Sequence, residues 1–229
     1  MSEYRKTFRL KAEHVDCFRK LRIPVLMRLF QECCIAHTEQ LGMGREKTLD
    51  KGLLWVVNAE TVRIDRMPEY DEEITLVCRP GRTLHYFFPR FMSVLGTNGE
   101  TLARVGAMWS LIDISSRRMT DPAENGITVE GESLPGDLLP AMSLPVRAYG
   151  NERVFTANYS CVDINGHMNN AAYIDLALDL IPPEEVKNVS EVKCVFKKEI
   201  ALGEAFAVRY GKSGNGYAFG CGNFLIEIS

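Results

Sequence analysis

From Pro24 to Leu41, apolar side chains recur at positions 25, 26, 29, 30, 33 and 36, the 3.6-residue period of an amphipathic helix. Pro24 suits the first turn of such a helix and Gly42 the position just past its end. A strand is expected ahead of it around Thr7–Leu10. After it come strand-like stretches at Leu53–Asp65, Glu73–Arg79, Leu84–Leu95 and Thr101–Asp113. Met67-Pro68, Arg79-Pro80-Gly81 and the Gly96–Gly99 segment supply the turns between them. From Thr120 to Tyr149 no period is sustained, and Pro122, Pro135, Pro140 and Pro145 mark a connector.

The plan then repeats. Val154–Asp163 reads as extended and Asn170–Leu180 as helical, stopped by Pro182-Pro183. Strands are expected at Glu191–Lys197, Glu204–Tyr210 and Gly216–Ile228. One helix followed by a run of strands, performed twice, is α+β rather than alternating βαβ. The octet Asp65–Glu72 occupies the same place in the first round as Lys197–Glu204 in the second, each just ahead of a strand.

Composition narrows the class. The 229 residues are 46% hydrophobic and 25% charged, with net charge −3, so neither disorder nor nucleic-acid binding is expected. No apolar run approaches a membrane span, and the amino-terminal segment lacks the pattern of a secretory signal. The seven cysteines are scattered without CxxC spacing. Reduced thiols in the cytoplasm are expected, with no zinc site and no disulfide framework.

The candidate chemistry lies in the second round. In Cys161-Val-Asp-Ile-Asn-Gly-His-Met-Asn-Asn170, the residues Asp163, Asn165 and His167 stand at i, i+2 and i+4. An extended strand would place all three on one face. Asn169 or Asn170 would then cap the following helix, whose free N–H groups can hold an oxyanion. A hydrogen-bonded Asn/Gly turn is the other reading of the same segment. In the first round Asp16 stands where Asp163 does, but Phe18, Lys20 and Met67 replace Asn165, His167 and Glu199. There is no G-x-S-x-G elbow and no HExxH, and Gly211-Lys212-Ser213 lacks the upstream glycine of a phosphate loop.

The segment DINGHMNNAAYI resembles the D-x-N-x-H-x-N-N-x-x-Y-I motif of the acyl-acyl-carrier-protein thioesterases, the plant and bacterial enzymes that end fatty-acid synthesis. Leu29-Phe30-Gln31-Glu32 is similar to that family's L-x-Q-E run, and Leu54–Val57 with Val62–Pro68 to its W-V-V…V-x-R-Y-P run. Gly99–Arg104 through Trp109, then Arg117-Arg118, fit as well.

The resemblance implies a tandem hotdog fold, two long helices each wrapped by an antiparallel sheet. The units would divide as 1–145, with the acyl pocket and connector, and 146–229, with the catalytic residues. It implies hydrolysis of the thioester between a fatty acyl chain and the phosphopantetheine of acyl carrier protein, without metal or other cofactor. Asp163, Asn165, His167 and Glu199 take the family's catalytic places, with either carboxylate open as general base. Relatives often carry Cys after that Glu; Ile200 here excludes a thiol nucleophile at that position. Leu26, Met27, Phe30 and Trp55 are acyl-pocket candidates, with plain core as the competing reading. Because carrier protein is acidic, Lys193, Lys197, Lys198, Arg117 and Arg118 are docking candidates. An acyl-CoA thioesterase of the same fold, or a non-catalytic acyl binder, are the alternatives, and a monomer or a homodimer both fit.

Overall fold

A computed structural model describes residues 3–229. It contains one ten-stranded sheet, and every pairing in it is antiparallel. The first half supplies β1 (Tyr4–Arg9), β2 (Leu53–Ile64), β3 (Glu73–Pro80), β4 (Phe88–Leu95) and β5 (Thr101–Asp113). The second supplies β6 (Asn151–Thr156), β7 (Glu191–Phe196), β8 (Ala205–Ser213), β9 (Gly216–Gly220) and β10 (Phe224–Ile228). Their order is β1-β3-β4-β5-β2-β7-β10-β9-β8-β6. Read from each edge inward, both halves run first, third, fourth, fifth, second strand. They join where β2 meets β7, from Ala59 opposite Val195 to Arg63 opposite Glu191.

Helix α1 (Ile23–Gln40) follows the expected period and buries Leu26, Met27, Phe30, Cys33, Cys34 and His37 as one stripe. It packs against β1, β3 and the second helix, α2 (Asn170–Leu178). Helix α2 has nine residues, half the length of α1, and it closes through turns at Leu180 and Ile181 before Pro182. Both helices share one continuous apolar core, in which Tyr173 of α2 packs edge-on to Phe224. Among the described residues, no helix is long and apolar enough to cross a membrane.

Three sequence expectations are corrected. The stretch expected as one strand over Gly216–Ile228 is β9 and β10, reversed at 221–223, where Cys221 N donates to Phe224 O at 3.1 Å. Strand β4 begins only at Phe88, because Leu84 and Phe87 close a tight turn with His85 at φ +54°. The third bears on function: the extended segment ends at Thr156, and residues 163–167 form a turn rather than a strand.

The connector carries one short helical turn, Ala123–Asn125, and lies against the sheet. Its Leu138 carbonyl passes where a side chain at Gly106 would begin, closer to an added Cβ than van der Waals contact allows. Leu144 packs on Ala59, Met108 and Val195. Gly106→Ala is therefore expected to lift the connector from β5 and cost about 1–3 kcal/mol, read as a lower urea midpoint.

Candidate active site

The turn at 163–167 is held by its own aspartate. Asp163 N donates to His167 O at 2.9 Å, and Gly166 N donates to Asp163 O at 3.0 Å. Asp163 Oδ1 accepts from Asn165 N at 2.8 Å, the side-chain-to-backbone bond of an Asx turn. Gly166 sits at φ +75°, a left-handed conformation that favours glycine. Asp163, Asn165 and His167 therefore do not share a strand face. The turn delivers His167 to the start of α2, where Asn169 caps the helix by accepting from Ala171 N at 3.0 Å. Asn169→Ala is expected to cost about 1 kcal/mol of stability, checked by thermal unfolding.

His167 is aligned next to a second segment. It bridges Ala201, and Met168 N donates to Ile200 O at 2.8 Å. These contacts bring the Glu199 carboxylate to 3.6 Å from His167 Nε2. The Arg117 guanidinium donates to the same carboxylate oxygen, and Asn223 Nδ2 donates to the Glu199 carbonyl at 3.2 Å. Ile200 is fully buried, so the residue after the acid serves the core.

All four sequence-predicted residues, Asp163, Asn165, His167 and Glu199, line one cavity of about 560 Å³, a volume in the usual range for a ligand site. Asn170 lines it as well, at the first position of α2. A second cavity, about 540 Å³, runs along α1 past Cys34 and Thr38. Gln31, Leu54, Trp55, Trp109, Asp163 and Asn165 line both, so the polar turn stands where the two spaces meet. A polar head group would fit beside His167 and Glu199, with room for an extended apolar group along α1.

The first half carries the same turn without the chemistry. Asp16 Oδ1 accepts from Phe18 N at 2.9 Å and Lys20 N at 3.0 Å, and Arg19 takes the left-handed position at φ +64°. Lys20 bridges Glu69 as His167 bridges Ala201, which puts Met67 where Glu199 stands. The cavity there is smaller, about 300 Å³, and Asp16, Phe18, Lys20 and Met67 line it.

Several residue assignments change. Of the acyl-pocket candidates, Leu26, Met27 and Phe30 follow their core reading, at most 2% exposed and packed into the shared core, since the apolar stripe of α1 faces the sheet. Trp55 lines both cavities. Arg117, expected on a docking surface, is committed to Glu199, and Lys193 pairs with Glu191. Lys197 and Lys198 line the first cavity and, like Arg118, have no ion pair among the described residues. Gln31 was not foreseen as a site residue; its Oε1 accepts from Asn169 Nδ2 at 3.4 Å. Its sequence signals were its place in the Leu29-Phe30-Gln31-Glu32 run and a polar residue bordering the apolar stripe.

Comparisons with known proteins bear on the fold and the family. Residues 1–128 match the acyl-ACP thioesterase N-terminal domain and residues 147–223 the acyl-ACP thioesterase C-terminal domain. The chain is 24% identical over 223 residues to the chloroplastic dodecanoyl-[acyl-carrier-protein] hydrolase of Cinnamomum camphora, covering 87% of this chain and 56% of that protein. It thus spans just over half the length of that curated relative. An acyl-ACP thioesterase from Bacteroides thetaiotaomicron superposes with a TM-score of 0.86 at 20% identity, covering 99% of this chain and 96% of the other. The 12:0-ACP thioesterase of Umbellularia californica gives 0.82 at 18%, covering 99% and 96%. These structural likenesses show the fold, a tandem hotdog, and the matched domains show the lineage: the chain belongs to the acyl-ACP thioesterase family.

Proposed function

We propose that this chain hydrolyses the thioester of fatty acyl-[acyl-carrier-protein] in the cytoplasm, releasing free fatty acid and ending fatty-acid synthesis. The observation that carries the reading is the His167–Glu199 pair, 3.6 Å apart in a cavity that adjoins a second space along α1. The acyl chain enters that second space, and the pantetheine arm lies in the first. Water is the nucleophile. Glu199, held in place by Arg117, accepts its proton as the water attacks the carbonyl carbon. The Asn170 N–H at the start of α2 receives the developing oxyanion, where the helix dipole favours negative charge. His167 then gives a proton to the leaving sulfur of phosphopantetheine. Asp163 is occupied in its own turn and acts by fixing Asn165 and His167. Lys197, Lys198 and Arg118, without ion pairs among the described residues, meet the acidic carrier protein.

The test is release of labelled fatty acid from a panel of acyl-carrier-protein substrates of increasing chain length, run beside the matched acyl-CoAs. Higher kcat/KM on the carrier protein, reduced when Lys197 and Lys198 become alanine, is the expected result. Equal or faster turnover of acyl-CoA would make the protein an acyl-CoA thioesterase. Tight acyl binding without turnover would make it a carrier.

A further inference from the structure

Arg90 is 3% exposed on β4, and among the described residues no carboxylate lies within ion-pair distance of it. Arginine keeps its charge when buried, and a buried charge without a counter-ion costs several kcal/mol. Its neighbours are the Cys34 carbonyl at 3.3 Å, the Thr38 hydroxyl at 3.5 Å and the Cys78 sulfur at 3.9 Å. Of these only the thiol can become an anion. Cys34 of α1 and Cys78 of β3 are 4% and 0% exposed, with their sulfurs 3.7 Å apart. A hydrogen bond from Cys34, joined by His37 and Arg90, holds the Cys78 thiol well below its ordinary range, while burial pushes Cys34 up. A thiolate at Cys78 is the counter-ion that would offset the Arg90 charge, with the remaining proton on Cys34. Cys34, Thr38 and Arg90 all line the cavity along α1, so a small solute that enters it reaches Cys34, with Cys78 directly behind it.

We propose that Cys34 and Cys78 are a redox-active dithiol, a modification site in the wall of the acyl cavity, which a hydroperoxide converts to a disulfide that slows hydrolysis until a thiol reductant reverses it. Cys34, which faces the cavity, takes the thiolate form by passing its proton to Cys78 and attacks the peroxide. A sulfur–oxygen bond forms, the oxygen–oxygen bond breaks, and the leaving hydroxide is protonated to water. Cys78, giving up that proton, attacks the Cys34 sulfenic acid. The sulfur–sulfur bond forms, the sulfur–oxygen bond breaks, and the sulfenic oxygen leaves as hydroxide, which takes a proton from solvent to become a second water. The thiol and thiolate together lose two electrons, and with their one proton and one from solvent the peroxide is reduced to two waters. The sulfurs must close from 3.7 Å to about 2.05 Å. The product no longer offers a thiolate to Arg90, so a bare guanidinium borders the space meant for an apolar chain, which disfavours binding there.

The cavity's role rests on the proposed hydrolase function; the cross-link does not, and one experiment reads the two separately. Intact protein is treated with hydrogen peroxide, blocked with an alkylating agent and mapped by peptide mass spectrometry, with and without dithiothreitol. A Cys34–Cys78 linked peptide that disappears on reduction is expected, formed before modification of the other buried thiols, Cys33 and Cys194. Release of fatty acid from a long-chain acyl-carrier-protein should fall by roughly tenfold or more with the cross-link and return with dithiothreitol. Cys78→Ser, which also takes the thiolate from Arg90, should start from a lower turnover and lose no more of it through the same peroxide treatment. Oxidation of the exposed Cys17 while Cys34 and Cys78 stay unlinked, linkage through Cys33 instead, or a fully cross-linked protein with undiminished turnover would each overturn the proposal. An inactive reduced protein that still forms the link would overturn the hydrolase reading and leave the dithiol standing.

Discussion

Glu199→Gln and His167→Ala are each expected to lower kcat/KM on acyl-carrier-protein by about 10²–10⁴, the contribution of a positioned proton acceptor or donor. The glutamine variant would keep the shape and the bond to Arg117 but remove the site that takes the water's proton. The alanine variant would remove the donor for the leaving sulfur. Both native side chains are partly exposed, 36% for Glu199 and 29% for His167, so neither variant should unfold the protein. Thermal unfolding beside the kinetics checks this. Asp163→Asn serves as the contrast. An amide oxygen still accepts from Asn165 N, so the turn survives, and the loss should be smaller than at Glu199. A larger loss at Asp163 than at Glu199 would move the general base to Asp163.

The second large effect concerns stability. Glu60 on β2 is 4% exposed, has no hydrogen-bond partner for its Oε1 among the described residues, and faces Cys194 across the β2–β7 junction. Burial pushes its pKa up from 4.5 to about 8. Between those values the folded protein keeps a proton that the unfolded chain has lost. Stability should therefore fall as pH rises from about 5 to 8, by roughly 4 kcal/mol in all. Glu60→Gln carries no titrating proton and should remove this slope. An unpaired amide costs about 1–3 kcal/mol at every pH, which displaces the curve without tilting it. Urea unfolding of both proteins at pH 5.5, 7 and 8.5 measures the difference. Parallel profiles would show that Glu60 is ionised or hydrated in the native state.

The elements with a strong period were readable from the residues. Helix α1 fell within a residue of its expected span because the apolar stripe, Pro24 and Gly42 all agree. The turn at 163–167 misled because Asp, Asn and His alternate with Val162, Ile164 and Gly166, the period of a strand. Asn165-Gly166 was the competing turn signal, and the Asx bond from Asp163 decided in its favour. The matching turn in the first half has Arg19 at the left-handed position, where no glycine marks it. Leu26, Met27 and Phe30 show a further limit: periodicity says which face of a helix is apolar, not whether that face meets a sheet or a cavity. Arg117 and Glu199 are 82 positions apart, and no local pattern links them. The buried Glu60 was equally hidden, since a single acid within a strand normally faces water.

Direct attack by water is the claim on which the assignment of His167 and Glu199 depends. Single-turnover hydrolysis of acyl-carrier-protein by excess enzyme in oxygen-18 water tests it. The account predicts fatty acid carrying one solvent oxygen from the first turnover, with no label in the peptides containing Glu199 or Asp163. Unlabelled acid, or heavy oxygen in either carboxylate, would mean that the acyl group passed through the protein, contradicting the mechanism.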